Sequence, residues 1–491
     1  MSDELPEGWA AVPLGELVRP SKDKAEPGTA NGRPYLGMEH VESETGRVLG
    51  HADAREVRST TAAYRAGDVL YGKLRPYLNK VLVAPFDGVG STEFIVFGQQ
   101  QHIDSRYLRW LLARRQFVET ANERAAGVQL PRVTFDKLAD LEQPVAPLAE
   151  QRRIVAKVEA LLEQVRRAKD RLDRVPLILK RFRQAVLAAA CSGTLTEDWR
   201  LSHGSLQFRN CWTPRAPTND LPDFIEHLDG DDFPDSWTRL RVDAVVEIQN
   251  GRAFPSKDYM TEGGVRLLRP GNLHVGGLVA WSETNTVTLP TKWAKQFPGF
   301  VLGAGELVMN LTAQSLKDEF LGRVCLKADA QPALLNQRIA RFTNRQDFDL
   351  RPFLLLYFKS KFFRSFVNGL DTGSLIRHMH SKDVARHVVP VPPPEEIEVI
   401  VKRTWELLRL CDEVARRTEA AEVACKQLPP AILCKAFAGE LVPTEAEIAR
   451  ADGRDYETAE QLLERVRREQ SPDPTATGKR PRGRSRSTSN T

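Results

Sequence analysis

The chain is written twice, and this constrains its fold more than any single motif does. Leu5-Pro6-Glu7-Gly8-Trp9 returns as Phe233-Pro234-Asp235-Ser236-Trp237, an offset of 228. Gly67-Asp68-Val69-Leu70 returns as Gly305-Glu306-Leu307-Val308, an offset of 238. From Tyr107/Phe353 onward the offset is 246, through Gly127/Gly373, Pro144/Pro390, Ile154/Ile400 and Gly193/Gly439. The C-terminal part of the repeat keeps a constant length, while the N-terminal part absorbs insertions. A constant length marks a rigid element whose register matters. A part that differs between copies is where two different jobs can be encoded, although duplication followed by drift is the plainer alternative.

The constant part reads as a long helix. In the first copy Ile154, Val158, Leu161, Val165, Ala168, Leu172, Val175, Leu179, Phe182 and Val186 follow steps of four and three, a heptad seam. Pro147 and Glu150 signal its start and Gly193 its end, and Pro176 predicts a kink or break near 175. In the second copy the seam is Ile400, Thr404, Leu407, Cys411, Val414, Thr418, Ala421, Cys425, Leu428 and Ile432. It opens after Pro392-Pro393-Pro394, stops at Gly439, and is expected to be interrupted at Pro429-Pro430. Such a seam needs a partner. The simplest is the other copy, lying antiparallel; the alternative is that each helix packs only on its own domain.

The expected fold is therefore α+β: two mixed α/β domains in pseudo-two-fold arrangement, separated by two long antiparallel helices. The boundaries are residues 1–146 for the first variable domain, 147–193 for the first helix, 194–232 for an acidic linker, 233–392 for the second variable domain, 393–439 for the second helix, 440–470 for a short amphipathic helical tail and 471–491 for a disordered basic tail. Within the variable domains, "DVLYGKLRPYLNKVLVAPF" and "STEFIVF" are rich in strand formers. "LRWLLARRQFVETANERAAG" and "LLLYFKSKFFRSFVNGL" have helical spacing.

At 491 residues the chain is long enough for about three folding units. It contains no apolar run of membrane-spanning length, and its acidic start does not read as a secretory signal. The six cysteines form no C-x-x-C pair and read as free thiols in a reducing compartment, so the expected location is the cytoplasm. Net charge is +5, concentrated in the last residues, so any nucleic-acid surface must be a local patch.

Several apparent catalytic motifs fail on inspection. "GDVLYGKL" fits a phosphate loop, but Leu74 stands where a magnesium-ligating Ser or Thr belongs, and the middle is an apolar strand. "FDGVG" leads into a strand rather than the helix that an S-adenosylmethionine loop requires, and the Asn/Asp-Pro-Pro-aromatic tetrapeptide is missing. There is no E-x-K tripeptide. His378-Met379-His380 lacks spaced metal-ligating companions and reads as surface or DNA-facing histidines. No catalytic residue and no metal site is assigned.

Polar clusters at matched places suggest DNA reading instead. The first variable part holds Lys73, Arg75, Tyr77, Asn79, Lys80, Ser91 and Thr92. The second holds Arg269, Asn272, Asn310, Thr312, Gln314, Lys317, Asn336, Gln337 and Arg338. Arg and Lys suit guanine edges and phosphates, Asn and Gln suit adenine; a solvated strand-and-loop face is the bland alternative. From 152 to 183 the first helix carries eleven Lys/Arg against four Asp/Glu, whereas 398–429 carries six of each. That basic face suits a DNA backbone or, equally, an acidic protein partner.

These features together resemble the DNA-specificity subunit of type I restriction–modification systems. The resemblance is carried by "LPEGWAAVPLGELV", "GDVLYGKLRPYLNK", "LPRVTFDKLADLEQPVAPLAEQRRIV" and "RQAVLAAACSGTL" with their second-copy partners, and by the tail "ETAEQLLERVRRE". The second copy has Glu396-Ile397 where the first has Glu150-Gln151. The resemblance implies two target-recognition domains, each reading half of a bipartite site in double-stranded DNA, and paired helices acting as a ruler. It also implies docking of two methyltransferase subunits, which bring S-adenosylmethionine, and of restriction/translocase subunits, which use ATP and Mg. The chain itself would hold no cofactor and catalyse nothing. The competing classes are a fused or standalone methyltransferase or nuclease, and a protein-only coiled-coil adaptor.

Overall fold

The computed structural model describes residues 5–28, 32–203, 212, 233–313, 319–370 and 377–470. Three long helices organise it: α1 (Leu148–Leu172), α2 (Val175–Ser192) and α3 (Pro394–Phe437). The break between α1 and α2 falls where Pro176, in the first turn of α2, predicts it. Pro429 and Pro430, by contrast, do not interrupt α3, correcting the sequence expectation. Each proline frees one carbonyl a turn earlier. These belong to half-buried Cys425 and exposed Lys426, so water can satisfy what the ladder loses.

The chain forms two compact units, Met1–Leu172 with Ala420–Thr491, and Asp173–Glu419. Each contains the start of one copy's long helix and the end of the other's.

In the first unit, β1 (Pro34–Leu36) runs parallel to β3 (Gly88–Gly90) inside a five-stranded sheet, and β2 (Val69–Gly72) is the middle strand between Val81–Val83 and β4 (Phe94–Phe97). The second unit repeats this. There β5 (Val265–Leu268) is parallel to β7 (Ala333–Leu335), and β6 (Glu306–Asn310) pairs with Val324–Lys327 and β8 (Ile339–Asn344). The apolar runs noted in the sequence hold β2 and β4, which are buried throughout, and Val81–Val83, in which Val83 is half-buried.

In both units a two-stranded ribbon delivers the chain to its long helix: Ala10–Pro13 with Glu142–Val145, and Thr238–Arg241 with Val388–Val391. The helix that opens there packs antiparallel on the end of the other copy's helix. In the second unit the pairs Arg183–Asp412 (2.6 Å), Asp198–Arg403 (2.6 Å) and Arg200–Glu396 (2.5 Å) run in opposite directions along the two elements. In the first unit Ile154, Val155 and Val158 share a core with Leu433, Ala436 and Phe437, and the Phe437 ring lies 5.0 Å from that of Tyr107. Helix pairing therefore holds within each unit.

Of the seam residues, Ile154, Val158 and Ile400 are buried, while Leu161, Val165, Leu172, Leu407 and Val414 are half-buried. Phe182 and Leu428 are exposed, which corrects the single continuous seam. Beyond the interruption at Asp173-Arg174 the seam positions Leu179 and Val186 are buried and Val175 is half-buried, so the heptad count carries into α2 with Phe182 as its exception.

The segment after α2 is also not all linker. Thr194–Thr196 and Glu197–His203 are helical turns packed on the second unit, with Thr196 buried. The rest of 194–232, apart from buried Trp212, lies outside the described residues, as does the expected disordered tail 471–491. The tail helix is two helices, α4 (Glu445–Asp452) and α5 (Ala459–Gln470). Gly453, at φ +62°, ends the first with a left-handed cap.

Candidate nucleic-acid interface

The strongest candidate surface in each unit is built where β1 and β3, or β5 and β7, end side by side, next to the end of β2 or β6. The loops there are tied together by matching backbone bonds. Lys73 N donates to Glu93 O (2.9 Å) and Val133 N to Lys73 O (3.1 Å) in the first unit. Leu311 N donates to Arg338 O (2.9 Å) and Met379 N to Leu311 O (2.9 Å) in the second. The structure thus equates Lys73 with Leu311, Leu74 with Thr312, Arg75 with Ala313, and Arg132 with His378. One scaffold presents different side chains at the same places.

In the first unit Arg75 is exposed at φ +51°, left-handed backbone that a side chain adopts only when the surroundings hold it. Its N–H donates to Pro131 O at 2.7 Å, and among the described residues no group bonds its guanidinium. Tyr77 and Thr92 are exposed, and Lys73 and Ser91 half-buried, around it. Asn79 and Lys80 face inward. The buried Asn79 amide donates to Glu44 Oε2 (3.0 Å) and Ala113 O (3.1 Å), and Lys80 Nζ donates to Met38 O (2.6 Å). These two shape the loop that carries Arg75.

In the second unit Arg269, Gln337 and Arg338 are exposed. Asn272 is fully buried and accepts from Arg269 N at 2.9 Å, closing the turn that projects Arg269. Asn310 is also fully buried, donating to Thr312 O (2.7 Å) and Phe320 O (2.9 Å). Thr312 and Asn336 are nearly buried. Gln314 and Lys317 lie outside the described residues.

Sequence reading missed Arg132, whose Nε donates to Glu93 at 3.0 Å beside Lys73. The signal was available, because an offset of 246 aligns it with His378, already noted as a surface candidate. His378 and His380 are both exposed, with Met379 buried between them; the strand ends at His378, and His380 precedes the helix Ser381–Arg386. His378 Nδ1 lies 3.3 Å from Thr312 Oγ1. Among the described residues no cluster of His, Cys, Asp and Glu could hold a metal ion, and no helix is long and apolar enough to cross a membrane.

Comparison with known proteins gives the same family as the residues do. No family model matches the chain. The specificity subunit of the type I restriction enzyme EcoDI of Escherichia coli is 25% identical over 486 residues, covering 95% of this chain and 96% of that one. That of EcoKI, from Escherichia coli strain K12, is 29% identical over 356 residues, covering 71% and 68%. The crystal structure of the HsdS subunit from Thermoanaerobacter tengcongensis shares the fold, with a TM-score of 0.63 over 89% of this chain and 98% of that one, at 23% identity. The repeat, the two matched loop clusters and these comparisons agree: over nearly its whole length the chain is similar to the specificity subunits of type I restriction enzymes.

Proposed function

We propose that the chain is the sequence-recognition subunit of a type I restriction–modification complex, and that each unit reads one half of a bipartite site in double-stranded DNA. The observation that carries this is the equivalence of Lys73, Leu74 and Arg75 with Leu311, Thr312 and Ala313. Identical backbone positions with unlike side chains suit two unlike half-sites. Arg75, Arg132 and Lys73 in one unit, and Arg269, Arg338 and Gln337 in the other, are the proposed contacts to bases and phosphates.

The chain is not an enzyme; catalysis belongs to partner subunits. In the proposed assembly, two methyltransferase subunits bring S-adenosylmethionine, and restriction/translocase subunits bring ATP and Mg. Exposed apolar residues on the long helices, including Leu177, Ile178 and Leu410 in the second unit, support docking of such partners. The length of α3, 44 residues or about 66 Å, supports the proposal that paired helices set the distance between half-sites.

The test is base-resolution mapping of methylated adenine in a host carrying the assembled complex. A modified, gapped, asymmetric motif is expected. Exchanging residues 1–146 for those of another specificity subunit should change one half of the motif only. A change in both halves, or an ungapped motif, refutes the reading.

A further inference from the structure

We infer that the loop Gly127–Leu130 reads an adenine·thymine pair in the first half-site, with Gln129 recognising the adenine and Val128 covering the thymine 5-methyl group. This rests on the DNA-reading function proposed above and goes beyond it by naming the residues and the base pair.

The loop presents an apolar tip on a rigid base. Val128 is fully exposed, at 101%, and Leu130 is 45% exposed. Gln129 between them is exposed, with no side-chain partner among the described residues. The base is held firmly. Ala126 and Arg132 exchange both backbone hydrogen bonds at 2.9 Å, and Gly127 turns the chain at φ +103°. Pro131, which follows the tip, accepts the N–H of Arg75 at 2.7 Å. The tip is thus mounted on the same backbone as Arg75 and Arg132, with Lys73 alongside through its bond to Val133.

Folding gains nothing from a valine in water. Whatever the flanking cations hold, the tip must also meet. Cations that reach the bases and phosphates bring the short loop mounted beside them to the base edges. In the major groove the thymine methyl group is the apolar feature of those edges, and a primary amide matches the donor and acceptor of adenine. An adjacent Val-Gln pair therefore suits an adenine·thymine pair, where two more cations would suit guanine.

The full chain, assembled with its methyltransferase subunits, is titrated against duplexes in which each thymine of the first half-site is replaced in turn by deoxyuridine, which lacks only the methyl group. One position should weaken binding about fourfold, the value of one buried methyl group. Val128→Ala should weaken binding to the thymine duplex by a similar factor and abolish the sensitivity at that position. Gln129→Ala should lose about tenfold against the adenine of the same pair. Unchanged thermal midpoints are expected, because both side chains are in solvent. Full deoxyuridine sensitivity in the Val128→Ala complex, or none in the parent, overturns the inference while leaving the proposed function intact. A 2-aminopurine fluorescence increase that depends on Val128 also overturns it, because the tip would then be a wedge in the base stack. Failure of the parent complex to bind any DNA overturns both.

Discussion

Trp9 donates its indole N–H to the carboxylate of Glu150 at 2.9 Å, joining residues 141 positions apart in the sequence. Trp237 and Glu396 make the same bond at 2.9 Å in the second unit. Both carboxylates are buried. Their other oxygens take different partners: the Glu445 N–H for Glu150 (2.8 Å), and the Thr196 hydroxyl (2.6 Å) and Arg200 guanidinium (2.5 Å) for Glu396. In each case the partner follows the end of the other copy's helix, so one glutamate locks three segments. Burial pushes the Glu150 carboxyl above its ordinary range, even though the Glu445 N–H and the Trp9 indole favour its charged form.

Removing these carboxylates should be unequal in cost. Glu396→Ala leaves the mostly buried Arg200 without its counter-charge, and about 3–5 kcal/mol of stability should be lost. Glu150→Ala leaves a neutral indole and a backbone N–H unpaired, and about 1–3 kcal/mol is expected. Urea unfolding of both variants checks the order; a smaller loss at Glu396 than at Glu150 contradicts it.

Arg75 and Asn79 lie four residues apart in the sequence and should behave oppositely. Arg75→Ala should leave unfolding unchanged but weaken one half-site by about 1–3 kcal/mol at a single base pair. Asn79→Ala should cost about 1–3 kcal/mol of stability, because it strips two bonds from a buried amide. Denaturation and binding measured on the same preparations separate the two effects.

Ile178 and Phe182 lie four residues apart on one side of α2 and are both exposed, at 60% and 41%, with Leu177 beside them. Replacing Leu177 and Ile178 by Ser should leave the fold intact and weaken assembly with the methyltransferase subunit by roughly tenfold or more. Analytical ultracentrifugation of the mixed subunits gives the readout. Undiminished assembly would exclude this helix face from the interface.

Burial lowers the His387 pKa from its ordinary value to about 4, and its Nε2 lies 3.0 Å from the Tyr357 hydroxyl. The folded state therefore keeps this ring neutral where the unfolded chain takes up a proton. Between the unfolded value near 6.5 and the folded value of about 4, the unfolded state binds more protons, so stability falls as pH falls. About 2 kcal/mol should be lost from this group between roughly pH 7 and pH 5. Urea unfolding at both pH values should show a His387→Gln variant with a correspondingly shallower pH dependence.

The repeat made much of the fold legible, because a helix broadcasts its buried face every three or four residues and a buried strand reads as an apolar run. It also located the break near Pro176. It did not foresee that α3 passes through Pro429-Pro430, since that depends on exposure of the freed carbonyls. Nor did it separate Arg75 from Asn79, or Arg269 from Asn272. Each polar cluster mixes side chains that face water with side chains that close the turn beneath them. Asn79, Asn272 and Asn310 have the right chemistry for reading bases, yet their amides bond backbone carbonyls within their own units.

The sequence by itself determined that two like units exist, that long helices of constant length join their parts, and that the chain resembles the type I specificity subunits. These properties are periodic or repeated, and so survive in one dimension. Only the tertiary structure decided which polar residues are free to meet a ligand, that Arg132 and the Gly127–Leu130 loop stand beside Arg75, and that Glu150 and Glu396 each lock the end of the other copy's helix. Hydrogen-bond partners and exposure depend on residues that meet only after folding, at separations no local pattern encodes.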